Sequence, residues 1–77
     1  MNENIDKDVL IGKNIKKARQ AAKLSQEQLS AQLQVAGCDI SRGTLAKIEV
    51  GIRNLKASEI QAFIKILKID YEYLFRD

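Results

Sequence analysis

The sequence predicts a single all-α domain, and three observations predict it. The chain has no proline and only four glycines, so few breakers interrupt 77 residues that are 45% hydrophobic. Apolar residues recur at helical spacing rather than alternating as strands require. A polar residue flanked by two apolar ones also recurs, at Ser25, Ser41 and Asp70, and each instance reads as a capped helix start.

Taken in order, residues 1–8 are polar and acidic and are expected to form a flexible N-terminal arm, with residues 9–77 as the domain. The first helix begins near Asp8. Ile11, Ile15, Ala18 and Ala22 share one face, Lys13, Lys16, Lys17, Gln20 and Lys23 cover the other, and Arg19 lies on the border. In LSQEQL, Ser25 caps a second helix, Gln28 returns a capping-box hydrogen bond, and Leu24 staples to Leu29. Leu29, Leu33 and Ala36 continue that stripe until Gly37 stops it. Ser41, between Ile40 and Leu45, opens the third helix, which runs to Val50. Ile60, Phe63, Ile64 and Leu67 mark a fourth. Asp70, between Ile69 and Leu74, opens a fifth.

A chain of this length supports one modest core and leaves little for an elaborate active site. There is no histidine to act as a base, Ser25 and Ser41 are needed as caps, and the carboxylates are scattered, so no enzyme is expected. The single cysteine, Cys38, excludes an internal disulfide, and without histidine the usual zinc sets cannot form; neither a metal nor a cofactor is expected. Cys38 adjoins Asp39 and no basic residue, which favours an inert thiol. No apolar run approaches the ~18 residues of a membrane span, and MNENIDKD lacks the form of a signal peptide. A cytoplasmic location is the natural expectation.

The net charge is only +3, but residues 12–56 carry nine basic side chains against three acidic ones. That central stretch is the part suited to a polyanion. Within it, SRGTLAKIEVG sets a puzzle. The side of this helix turned from the core holds Gly43, Ala46 and Val50, with only Arg42 and Lys47 for charge. A solvated helix face ordinarily carries long polar residues, so a face this small leaves room for close approach.

Quoted together, LSQEQLSAQL, ISRGTLAKIEVGIRN and FIKILKIDYEYLF resemble the Cro and phage-repressor helix-turn-helix family, also called XRE, over residues 11–75. The resemblance implies a five-helix lambda-repressor-like domain that binds duplex DNA in sequence-specific fashion and regulates transcription by occupying a promoter, most simply as a repressor. Ser41–Val50 would then be the recognition helix in the major groove. Arg42, Gly43 and Lys47 fall where the family places base-reading residues, with Thr44 beside them. Gln26 matches the family glutamine that holds a phosphate at a helix N-terminus, and Ser41, Arg53 and Lys56 would add phosphate contacts. Small residues at 43, 46 and 50 would let the helix sit deep in the groove. Arg19 and Glu49 match a family pair that bridges the first and third helices.

The chain departs from that pattern in three places. VAGCDI makes the turn before Ser41 about five residues longer than the tight turn of the phage proteins. After Glu49 come Val50 and Ile52 where the family is polar or basic, and Gly43 brings no side chain to the groove. Val50 and Ile52 support another reading, a protein-interaction module of antitoxin or regulator-binding type, whose apolar helix face docks a partner; the plain alternative folds Ile52 back on the core beside Leu55. The family implies that Leu74 and Phe75 cap the core. Tyr71, Tyr73 and Ile66 are left as core cover or as the contact of a weak homodimer, which a palindromic operator would match.

Overall fold

The computed structural model describes residues 3–77, with side chains from Lys7 onward. Four α-helices follow in order, α1 Glu3–Ala21, α2 Gln26–Val35, α3 Arg42–Glu49 and α4 Ala57–Leu67, and then a short 3₁₀ helix at Tyr71–Phe75. No strand occurs among the described residues. Of the arm expected over residues 1–8, Met1 and Asn2 lie outside the described residues, and α1 includes the backbone from Glu3.

The fifth helix of the sequence reading is therefore corrected to a 3₁₀ turn, leaving four α-helices. Its cap is as expected, since the Asp70 carboxylate accepts the Tyr73 N–H at 2.8 Å. Five residues cannot repay the cost of nucleating an α-helix, whereas the tighter 3₁₀ form suits a short piece. Tertiary contact holds it. Buried Asn14 of α1 donates from Nδ2 to the carbonyls of Leu74 at 2.9 Å and Arg76 at 2.8 Å.

Helix starts follow the sequence closely. Ser25 Oγ accepts the Gln28 N–H at 3.0 Å while Gln28 Oε1 accepts the Ser25 N–H at 2.8 Å, a complete capping box. Ser41 Oγ accepts the Thr44 N–H at 3.2 Å. At α4 the backbone N–H of Lys56 donates to the Glu59 carboxylate at 2.9 Å, so here the third helical residue supplies the cap.

Helix ends are less uniform. Gly37 and Gly51 close α2 and α3 with φ of +89° and +85°, as glycines past a C-terminus usually do. Lys23 and Lys68 adopt the same left-handed conformation after α1 and α4, with φ of 62° and 58°. Side chains are uncommon there because the Cβ crowds the backbone. The charge of a lysine does suit the negative end of a helix dipole.

The core gathers Ile11 and Ile15 of α1, Leu29 and Leu33 of α2, Leu45 and Ile48 of α3, Phe63 and Leu67 of α4, with Ile40 from the turn before α3 and Leu74 from the 3₁₀ helix. Leu74 is fully buried, but Phe75 is 37% exposed, so only the leucine closes the core. Phe75 packs on Tyr71 instead, ring centroids 5.0 Å apart. Ile52 is 73% exposed and does not fold back beside Leu55. Gly51 has already turned the chain outward at that point, and the Ile52 N–H is held to the Lys47 carbonyl at 3.1 Å.

Among the described residues no helix is long and apolar enough to cross a membrane.

Candidate nucleic-acid interface

Helix α3 is supported from inside and bare outside. Leu45, Ile48 and Glu49 are buried, while Arg42, Gly43, Lys47 and Val50 are exposed and Thr44 and Ala46 half-buried. A Cβ added at Gly43 would meet nothing within 4 Å, so no packing demand explains a glycine there. Ser41 is exposed and spends its hydroxyl on the helix cap.

Behind α3 lies one buried polar cluster. Arg19 Nε donates to Glu49 Oε2 at 2.6 Å, Nη2 donates to Oε1 at 3.0 Å, and Nη1 reaches the Leu24 carbonyl at 2.9 Å. Gln26 Nε2 donates to Glu49 Oε1 at 3.0 Å. Glu49 therefore receives donors from both α1 and α2, and the last residue of α3 is held from two sides. A forked pair of this kind, buried on both partners, fixes geometry more than it adds stability, because desolvation offsets much of the attraction. The pair was legible in the sequence; the contribution of Gln26 was not, since nothing in the spacing joins residues 26 and 49.

The expected phosphate set divides. Gln26 and Arg42, with Ser25 and Glu27, line one shallow depression at the start of α2. Arg53 and Lys56 line another, beside Cys38 and Asp39. Arg53 is engaged inside the protein: Nη1 and Nη2 donate to the two carboxylate oxygens of buried Glu59 at 2.8 and 3.0 Å, and Nη1 also reaches the Asn54 carbonyl at 2.8 Å. The Arg53 hydrogen bond holds the Glu59 carboxyl below its usual range, opposed by burial and aided by the Lys56 N–H. Burial, then Glu59, pushes the Cys38 thiol up, which disfavours the thiolate that a nucleophile would need.

The long turn between α2 and α3 is not loose. The Cys38 N–H bonds the Leu33 carbonyl at 2.8 Å and the Gly37 N–H bonds that of Gln34 at 3.0 Å, so part of the extra length is a regular helix terminus. Ile40 then inserts into the core.

An inserted α3 with a bare outer face, reached through a turn from α2, is the arrangement of helix-turn-helix proteins. The sequence profile of the helix-turn-helix family matches residues 15–74. The chain belongs to that family, in its XRE type of Cro-like and phage-repressor-like DNA-binding regulators. No curated protein and no solved structure matches it.

Proposed function

We propose that this chain is a sequence-specific, double-stranded DNA-binding transcriptional regulator that acts from the cytoplasm, represses by occupying a promoter, and places α3 in the major groove. The observation that carries the reading is the open, unpacked surface at Gly43 between exposed Arg42 and Lys47. Without a Cβ at 43 the backbone can approach base edges closely. Arg42 and Lys47 then donate to guanine O6 and N7, Ala46 and Val50 touch thymine methyls, and Thr44 contacts a base or the nearby backbone.

Phosphates are held around that helix. Gln26 keeps one amide hydrogen beyond the one given to Glu49, and it lies at the first turn of α2, where free N–H groups favour an anion. Arg53 retains its Nε–H and Lys56 is exposed; Ser41 is exposed too, but its hydroxyl already accepts from the Thr44 N–H and donates to Thr44 Oγ1, which makes it the weakest of the set. Each phosphate neutralised steepens the fall of log affinity with log salt by about 0.9.

The exposed Tyr71, with Tyr73 and Ile66, supports a weak homodimer through the C-terminal half. Sedimentation that finds only monomer at high concentration, with and without DNA, would count against it. Selection of a random duplex library by the purified protein tests the main reading. A two-fold symmetric motif, altered by Arg42→Ala and Lys47→Ala, is expected; no enrichment at low salt by a folded protein would end it.

One observation favours a second reading. Val50 and Ile52, two positions apart, are 64% and 73% exposed, and exposed apolar side chains grouped in this way suit a protein contact. If they bind a protein, as in an antitoxin-like regulator, a partner co-purifies and is lost with Val50→Ser or Ile52→Ser but kept with Lys47→Ala.

A further inference from the structure

Two side chains of α2 converge on one backbone carbonyl. Buried Ser30 donates from Oγ to the Ile40 carbonyl at 2.7 Å. Gln34, one turn further on, donates from Nε2 to the same carbonyl at 3.3 Å and to Ser30 Oγ at 3.4 Å. Ile40 itself is fully buried, and the next residue is Ser41, the cap of α3. The shared carbonyl is thus the last fixed point of the chain before α3 begins.

Position is what this fixed point controls. The segment between α2 and α3 is irregular from Cys38 to Ser41, and an irregular link held at its ends alone would let α3 rock on the core. The Ile40 side chain sets the depth of the link, and the paired donors on its carbonyl set its direction. At the far end, Glu49 is gripped by Arg19 and Gln26. Two anchors, one at each end of α3, define an axis.

We infer that Ser30 and Gln34 are positioning residues for base recognition: by holding the Ile40 carbonyl they set the angle at which α3 presents Arg42 and Lys47. The inference rests on the DNA-binding reading above, and Ser30 acts from a buried position without touching the ligand. The long turn thereby keeps a defined geometry despite its added residues.

The test uses the full chain with Ser30→Ala, Ser30→Thr and Gln34→Ala, and two measurements. The first is amide hydrogen exchange. Ser30→Ala should speed exchange at Thr44 and Leu45 about tenfold and leave Leu67 of α4 nearly unchanged; Ser30→Thr, which keeps the hydroxyl, should restore the native rates. The second is competition between the selected duplex and a scrambled one at fixed salt. Ser30→Ala should reduce their affinity ratio about tenfold while affinity for the scrambled duplex holds, because phosphate contacts are intact. Uniform acceleration across all helices with an unchanged affinity ratio would overturn the inference and leave Ser30 a residue of general stability. Should Ser30→Ala not fold, Gln34→Ala, at an exposed position, carries both measurements, with smaller changes of the same kind expected. A wild-type chain that discriminates no duplex would defeat the DNA reading and with it the claim on specificity; the exchange pattern then decides the anchoring by itself.

Discussion

Gly12 brings the backbone of α1 directly against the end of α3: a Cβ at this position would overlap the Ile48 carbonyl oxygen and stand 3.0 Å from the Glu49 carbonyl carbon and oxygen. Backbone cannot retreat as a flexible side chain can, so Gly12→Ala must push the helices apart. A loss of about 1–3 kcal/mol is expected, measured by urea denaturation. An unchanged midpoint would mean that the crossing adjusts freely.

Gly43 gives the opposite expectation from the same substitution. With open space around it, Gly43→Ala should stabilise the domain by about 0.5–1 kcal/mol through helix propensity alone. Its effect on DNA is independent of that gain. If α3 approaches base edges at this residue, affinity for the selected duplex should fall while thermal stability rises, and no strain in the free protein could produce that pair of results.

Arg19→Ala should destabilise the fold by about 3 kcal/mol, since it orphans the buried Glu49 carboxylate and leaves it only the Gln26 amide. The double variant Arg19→Met with Glu49→Leu should recover most of that loss. A melting temperature unaffected by Arg19→Ala would refute the bridging role.

Arg53 and Glu59 make stability sensitive to acid. The folded Glu59 carboxyl is held below the ordinary value of 4.5, so its contribution is complete above that pH. It declines as pH falls below it and is gone once the folded group protonates. Glu59→Gln should flatten the stability profile in this acidic window and lower stability at neutral pH. If the variant and the wild type lose stability in parallel, other carboxylates govern the acid limb.

How much of this was legible in the sequence depends on the range of the interaction. The starts of α2, α3 and the 3₁₀ helix could be read, because a cap and its staple lie within a few residues: Ser25 with Gln28, Ser41 with Thr44, Asp70 with Tyr73. The left-handed ends at Lys23 and Lys68 could not, since no glycine marks them. Neither could Gly12, whose reason lies in the backbone of Ile48, nor Asn14, which serves carbonyls some sixty positions away. Around α3 the sequence placed Arg42, Gly43, Lys47 and Val50 on the exposed side, as they are, whereas Thr44 and Ala46 are half-buried. It missed the internal engagement of Arg53 with Glu59, because the competition between a phosphate and a buried carboxylate is decided by folding and not by spacing.

The amide of Asn14 also has a bearing on synthesis. Its two acceptors belong to Leu74 and Arg76, so a growing chain on the ribosome reaches the end of α4 with this buried donor still unmatched and the site of Leu74 still open to water. Helices and their caps can form as they emerge, but the core cannot be sealed by any part of the chain made early. The core closes only once Leu74 has been made, and a chain halted before it would leave the side of α1 that the 3₁₀ helix covers open to whatever protease or chaperone meets it first.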